Sequence, residues 1–330
     1  NFFISDFNEM SENRIHFSSV FDKKVKGFPV TFEMSFDNYL NYNSQQKLSN
    51  LKSKSVQMIA FMPNINFRKY GVDFNFGLGL DYASEVGFDP FPRIIGTKEL
   101  VKDILIFSFG VQDDKYRNTY KVLSDINPYI HTLSTNQSII ERDTLLDLRT
   151  TEAKEIFFNL CNSLGYNDIW SATITYGFVE NLPYFDNNFN SAYNRFLVYY
   201  LDLWQLKLSS SYSREISQIL DFNINAEYYN WGSAKISHMP NLVIDASFPI
   251  NLRDKIICIP ELKYFGSETA FIRHDYVLSS RMLLDLSFQY NYSSNLSISL
   301  SLRNLTNSQK ELWRDYKEIG FSGNMSVIYS

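Results

Sequence analysis

The chain of 330 residues contains no run of about eighteen apolar residues, so no helix in it is apolar enough to cross a bilayer. Cysteine is scarce: Cys161 and Cys258 stand alone, without a CxxC pair or metal-ligand spacing, which fits two free thiols better than a disulfide. Positive charge is not in excess either. The formal net charge is -5, the isoelectric point is about 5.5, and no basic cluster marks a nucleic-acid surface. Neither HExxH nor GxSxG occurs, which leaves zinc hydrolysis and the serine-hydrolase elbow without a carrier. The chain opens on Asn1, with no signal peptide, so a processed chain or a fragment is expected.

What is abundant is aromatic: 16% of residues, with 22 Tyr and 28 Phe. Mean hydropathy is nevertheless -0.23. The two facts are reconciled by alternation. Phe28, Val30, Phe32, Met34 and Phe36 alternate with Thr31, Glu33, Ser35 and Asp37. Phe74, Phe76, Leu78, Leu80 and Tyr82 alternate with Asp73, Asn75, Gly77, Gly79 and Asp81. The same pattern recurs at 204–212, 220–228, 281–292 and 296–303. Such runs span about ten residues, the length of a tilted membrane crossing, against five or six for a sandwich strand. One face of each strand can meet lipid and the other a wet lumen.

The connections point the same way. Short turns are expected at 22–27, Arg68–Tyr70, Leu164–Asp168, Arg214–Ser217, Asn251–Asp254 and Ser293–Asn295, and long loops near 41–53, 84–99, 134–149, 180–193, 231–239, 267–279 and 305–318. Alternating short and long connections are the barrel pattern of periplasmic turns and external loops. Tyr70, Tyr166, Trp170, Tyr212, Tyr290, Tyr292 and Tyr329 lie beside the short turns or the end of the chain, where amphipathic rings suit an interface. The spacing of Ala153, Ile156, Phe157, Leu160 and Leu164 is helical, but Ile156, Phe158 and Leu160 also alternate, and the register of the barrel selects a strand there. The expected fold is all-β: one antiparallel transmembrane barrel domain over residues 1–330, with about 14–16 strands. Fifteen strands run from Arg14 to Tyr329; residues 1–6 either add a partial sixteenth or follow missing strands, and a truncated N-terminus is favoured.

Chemistry is thinly marked. His16, His131, His238 and His274 form no close pair, so no metal ligand set and no cofactor are assigned, and no catalytic residue either. Tyr129 and His131 are placed on a strand approaching an external loop. Glu33, Asp37, Asp73, Lys207, Asp221, Glu227, Arg281, Asp285 and Arg303 fall on the inferred lumen face, lining a path, docking a plug, or forming a self-paired polar wall. Trp313, Arg314, Asp315 and Tyr316 mix aromatic rings and charge in the loop 305–318, a candidate surface for a ligand or partner or else a compact packed loop.

The end of the chain resembles the TonB-dependent-receptor-like barrels of the Bacteroidota. The residues that carry it are Leu300–Asn307 (LSLRNLTN), Glu311–Tyr316 (ELWRDY), Gly320 and the alternating strand ending at Tyr329. Asn118–Tyr120, Asn127–Pro128 and Thr135–Gln137, then Trp231, His238 and Pro240, extend it over roughly residues 100–330. The sequence departs from that family in ending on Ser330 after Tyr329, and in showing neither a plug domain nor a TonB box. The resemblance implies a part of a barrel of about twenty-two strands in the bacterial outer membrane. Its partners would be the bilayer, lipopolysaccharide, a plug, TonB or a surface lipoprotein, and its task uptake of a metal chelate or an oligosaccharide. A scaffold barrel in a secretion or assembly complex is the second reading, and an outer-membrane enzyme the third.

Overall fold

A computed structural model describes residues 2–7, 10–43, 54–130, 133–134, 144–145, 148–163, 168–186, 196–271 and 276–329. Strands β1 (Phe2–Phe7), β2 (Met10–Val25), β3 (Phe28–Asn43), β4 (Lys54–Lys69), β5 (Val72–Ala83), β6 (Gly87–Val101) and β7 (Leu105–Arg117) come first, followed by one short helix, α1 (Tyr120–Ile126). A small pair, β8 (Leu133–Ser134) and β9 (Thr144–Leu145), precedes β10 (Thr150–Ser163), β11 (Asp168–Asp186), β12 (Leu197–Ser217) and β13 (Leu220–Asn230). The next crossing is divided into β14 (Leu242–Ser247) and β15 (Ile250–Leu252), and β16 (Ile256–Phe265) follows. A second small pair, β17 (Glu268–Phe271) and β18 (Tyr276–Leu278), leads to β19 (Arg281–Asn291) and β20 (Leu296–Arg303). A third, β21 (Glu311–Trp313) and β22 (Tyr316–Lys317), leads to β23 (Ser322–Tyr329). Seventeen of these strands form one sheet, and β8–β9, β17–β18 and β21–β22 are separate two-stranded pieces.

The chain divides into two compact units. The first comprises Asn1–Lys98, Ser108–Ile156 and Gly177–Trp204; the second comprises Glu99–Phe107, Phe157–Tyr176 and Gln205–Ser330. In the first, β1 to β6 form an antiparallel meander in chain order. In the second, β12, β13, the divided β14/β15, β16, β19, β20 and β23 do the same. The division of β14 from β15 falls at Phe248–Pro249, where proline has no N–H for the ladder and its carbonyl instead accepts from Asp221 N at 2.9 Å.

Alternation explains the sheet. Phe76, Leu78 and Tyr82 on β5 are exposed, while Gly79 between them is buried. Phe67 stacks on Phe74 and Phe76 with centroids 5.5 and 5.3 Å apart, so adjacent strands hold one continuous aromatic face. Much of the apolar face stays exposed. Tyr120, Leu123, Ile130, Leu148 and Phe185 are buried in the first unit, and Ile236, Ala270, Leu278 and Trp313 in the second. The turns at Lys26–Gly27 and Tyr70–Gly71 have positive φ at both central residues, which matches the twist of the flanking strands.

Several expectations need correction. Residues 84–99, expected as a long loop, contain a three-residue connection and most of β6. Pro90 and Pro92 disguise this strand. Two residues apart, they point their N positions the same way, so only one ladder loses donors. The connection 102–104 is also short, so short and long connections do not alternate strictly. The strand inferred at Tyr129 is absent: α1 and a turn occupy that region, and His131 lies outside the described residues. The missed strand and the extra one cancel, so among the described residues fifteen long strands remain from β2 to β23, taking β14 and β15 as one, with β1 as a short sixteenth. The turn expected at Arg214–Ser217 lies after Ser217. Strands are also longer than anticipated, reaching 21 residues in β12. Residues 153–163 are strand, as the register required. Both cysteines are free. Tyr166, His274, Thr135–Gln137 and most of the turn expected at 164–168 lie outside the described residues.

Candidate functional site

Two polar assemblies stand out, one in each unit. In the first unit, Asp81 on β5, Asp89 on β6, Asp113 and Lys115 on β7, and Glu152 and Lys154 on β10 converge on the face opposite the apolar one. Lys115 Nζ lies 2.6 Å from Asp89, 3.1 Å from Asp81, 3.1 Å from Asp113 and 3.7 Å from Glu152. Lys154 Nζ lies 2.5 Å from Glu152 and 3.5 Å from Asp89. The carboxylates of Asp89, Asp113 and Glu152 come within 4.8 Å of one another, a spacing that suits a cation. The Lys115 ammonium already fills that role, so the donor set does not define an open metal centre. Nearby, Arg117 pairs with Glu85 and donates to Thr150 Oγ1 at 3.4 Å.

These six residues were not singled out in the sequence. The signal that could have found them is opposite charge two residues apart, Asp113 with Lys115 and Glu152 with Lys154, since i and i+2 share a face in a strand. Of the expected lumen residues in this unit, Asp37 accepts from Arg14 at 2.7 Å and contacts His16 Nδ1 at 2.9 Å. Glu33 accepts from Asn64 at 3.1 Å. Asp73 makes a loose 3.6 Å pair with Arg68 among exposed side chains.

The second assembly is built from connections. Asn304 has φ +51, and its side chain organises the segment from 304 to 320. Asn304 Nδ2 donates to the carbonyls of Ser308 (2.7 Å) and Ile319 (2.8 Å), while its Oδ1 accepts from Thr306 Oγ1 and Ser308 N. Its backbone N–H donates to Asp285 Oδ1 at 2.8 Å, which gives that expected lumen residue a structural partner. Asn307 Oδ1 accepts from Phe321 N at 3.0 Å, and a Cβ at Gly320 would stand 2.7 Å from that oxygen. The NLTN stretch and Gly320 therefore form one lock at the foot of this connection.

Above the lock, Arg281 and Glu268 form a buried pair, with Arg281 NH1 donating to Glu268 Oε1 at 2.8 Å and its guanidinium 4.4 Å from the Phe265 centroid. Burial raises the Glu268 carboxyl above its ordinary range, and the Arg281 hydrogen bond and charge oppose that rise. His238, at φ +58, stacks on Trp313 with centroids 4.7 Å apart. Burial, aided by the charges of Arg281 and Arg314, pushes the His238 imidazole down to about 3, so it is neutral at physiological pH. Tyr276 Oη donates to Glu311 at 2.8 Å, and the Tyr276 ring lies under Arg314, its centroid 5.6 Å from the guanidinium carbon.

The candidate loop quartet is thus divided. Trp313 is buried at 6% exposure, as packing against His238; Arg314 is mostly covered; Asp315 is exposed; Tyr316 is intermediate. Lys207 and Glu227 pair at 2.9 Å, joined by Tyr229, whose hydroxyl donates to Glu227 at 2.7 Å. Asp221 and Arg303 are exposed and make no ion pair among the described residues. Of the nine expected lumen residues, Glu33, Asp37 and Asp73 belong to the first unit and the other six to the second.

A similar lock stands at Asn118–Asn127 in the first unit. Asn118 Nδ2 donates to Arg149 O (2.9 Å) and Thr151 Oγ1 (2.8 Å); Thr119 caps α1 by accepting from Val122 N; Asn127 Oδ1 accepts from Tyr129 N. Glu12 accepts from Lys121 N at 3.4 Å. Trp231 stacks on Tyr229 and donates to Gln205 at 3.2 Å. Asn118, Asn127, Asn304, Asn307 and Trp231, among the residues that carried the sequence resemblance, are fastenings of the connections.

No protein-family profile matches the chain, and no curated protein does. Solved structures do. The chain is similar to the ferric enterobactin receptor PfeA of Pseudomonas aeruginosa, with TM-score 0.66 and 12% identity over 97% of this chain and 54% of that one. It is similar to the siderophore receptor PirA of the same organism, with TM-score 0.66 and 12% identity over 97% and 57%. The copper transporter OprC matches with TM-score 0.66 and 10% identity over 97% and 56%. The chain spans about half the length of these receptors. At such identities the likeness concerns the fold, and the fold is the antiparallel β-barrel of these outer-membrane receptors.

Proposed function

We propose that the chain is part of the wall of an outer-membrane receptor that takes up a scarce nutrient, with connections that capture the ligand and a polar inner face that it passes. The observation that carries this reading is the two-sidedness of the strands. Large apolar side chains on β4, β5, β10, β11 and β12 remain exposed, while ion pairs such as those of Lys115 and Lys207 occupy the other face. A water-soluble protein rarely leaves such an apolar surface uncovered, whereas a bilayer covers it. The fold shared with siderophore and copper receptors agrees with that use, and a metal chelate or an oligosaccharide is the substrate class proposed. TonB and a plug domain supply the energy coupling and the gate in this reading, lipopolysaccharide and lipid surround the barrel, and the chain is of the Bacteroidota type.

The test is deletion of the gene in its host, followed by growth with iron chelates, copper or oligosaccharides limiting. Loss of growth on one class, matched by loss when TonB is inactivated, supports uptake. Unimpaired growth on every class, with loss of a surface or secreted protein instead, would replace this reading with the scaffold.

A further inference from the structure

Where β2–β3, β4–β5 and β6 reach their short connections, three lysines lie on the wrong face. On β2, Lys23 follows Phe21 and precedes Val25 on the apolar face, and it stands opposite Val30. On β4, Lys69 continues the row of Ile65 and Phe67 and stands opposite Val72. On β6, Lys98 lies two residues beyond Gly96, the partner of Phe74, and so continues the row of Ile94. All three are exposed, and none makes an ion pair among the described residues. The acidic groups beside them point to the opposite face. Asp22 accepts from Thr31 at 2.7 Å, and Asp73 pairs with Arg68. Each of the three lysines therefore stands on the apolar side of its strand, with Asp22 and Asp73 on the other.

A lysine on a lipid-facing row is heavily penalised at the bilayer midplane and tolerated only near its surface, where the flexible stem lets the ammonium reach the headgroups. Each of the three lies within about four residues of its turn, the level at which that condition is met. Tyr70 is 86% exposed in the adjoining turn, with Lys69 Nζ 5.2 Å from its ring centroid, an arrangement suited to an interface. Lys24 and Lys26 add two more exposed cations at the Lys26–Gly27 turn, beside Lys23.

We infer that Lys23, Lys69 and Lys98 form a headgroup clamp that selects anionic phospholipid, of the phosphatidylglycerol type, in the leaflet at the short-turn end. This inference rests on the apolar face lying in a bilayer, as proposed above. The clamp orders a ring of acidic lipid around this stretch of wall and fixes its depth. It was invisible along the chain because the lysines are scattered in sequence and come to one face and one level, on alternate strands, only through strand register.

The test is lipid selectivity of the whole chain in phosphatidylcholine vesicles, read by electron spin resonance as the association of spin-labelled phosphatidylglycerol relative to spin-labelled phosphatidylcholine. A preference of roughly fivefold or more for the acidic lipid, declining as salt rises, is expected. Lys23→Gln/Lys69→Gln/Lys98→Gln should bring the ratio near one, and the matching triple Arg variant should keep it. Lys69→Gln alone should lower the ratio partway, which serves if the triple Gln variant does not fold. Unchanged selectivity in the Gln variants overturns the clamp, as does preference for lipid A phosphates without preference for phosphatidylglycerol. Failure to insert into vesicles of any composition overturns both the clamp and the membrane reading, whereas insertion without selectivity overturns the clamp alone.

Discussion

The two polar assemblies solve the same electrostatic problem in opposite ways. Around Lys115, one ammonium faces four carboxylates on four strands, and a second ammonium, on Lys154, shares two of them. Each charge has several partners, and most of the side chains keep some contact with solvent. Around Arg281, one guanidinium makes one close ion pair, with Glu268, both side chains almost wholly covered, while Glu318 feels its charge from farther off. The first arrangement is redundant and the second is not. Redundancy lets a network lose a member and re-pair, while a buried two-member pair leaves a stranded charge when either is removed.

The largest effect should therefore come from Arg281. Arg281→Met leaves the Glu268 carboxylate buried without its partner and removes the cation over Phe265. The expected loss is about 3–5 kcal/mol of local stability in the connections of the second unit. Hydrogen exchange over 267–281 reads it directly. Arg281→Met combined with Glu268→Leu should recover most of the loss, because the penalty belongs to the stranded charge. A double variant as unstable as the single one would show that packing, rather than charge, governs this region.

Asn304→Ala comes next, at about 2–3 kcal/mol, because it leaves several carbonyl and N–H groups of residues 306–319 without their side-chain partner. Asn304→Asp keeps the acceptor bonds and loses only the donor bonds to Ser308 and Ile319, so its loss should be smaller; equal losses would mean that the two donor bonds carry the whole effect. This region also shows how far the sequence could be read. The crossings were legible because apolar side chains at every second position need nothing beyond the chain itself. Asn304 and Asn118 were noticed through the family resemblance, but their role as fastenings appears only in bonds to distant carbonyls. β6 was hidden by Pro90 and Pro92. The seven residues of α1 were hidden because barely two turns of helix carry too little periodicity to detect. The Lys115 network is assembled from four strands, and no segment carries it alone.

Acid should loosen the second assembly, by a smaller amount. His238 has its folded-state value depressed to about 3 from an ordinary 6.5, so its neutral form is the one that folds. For a depressed group, stability is fully present above the unfolded value and lost as pH falls through the interval toward the folded one. Between pH 6.5 and 5 the expected loss is roughly 2 kcal/mol. Glu268 and Glu318, both raised by burial, act in the opposite direction near the carboxylate range and limit the loss at lower pH. Trp313 emission, quenched when the stacked imidazole charges, follows the change. His238→Asn tolerates the positive φ and should flatten the profile. A profile that stays as steep in the Asn variant would assign the acid response to other groups.

The smallest effect should come from within the network. Glu152→Gln removes one of four carboxylates but leaves Lys115 with Asp89, Asp81 and Asp113 at 2.6, 3.1 and 3.1 Å. Lys154 keeps Asp89 at 3.5 Å, and the new amide can still accept from either ammonium through its oxygen. With four acids and two bases, the assembly begins with a formal surplus of negative charge, so losing one anion also relieves repulsion among those that remain. The expected change is within about 1 kcal/mol, of either sign, in denaturant midpoint or in exchange over β7 and β10. A loss as large as that of Arg281→Met would mean that the carboxylates are not interchangeable and that Glu152 holds a position the others cannot take.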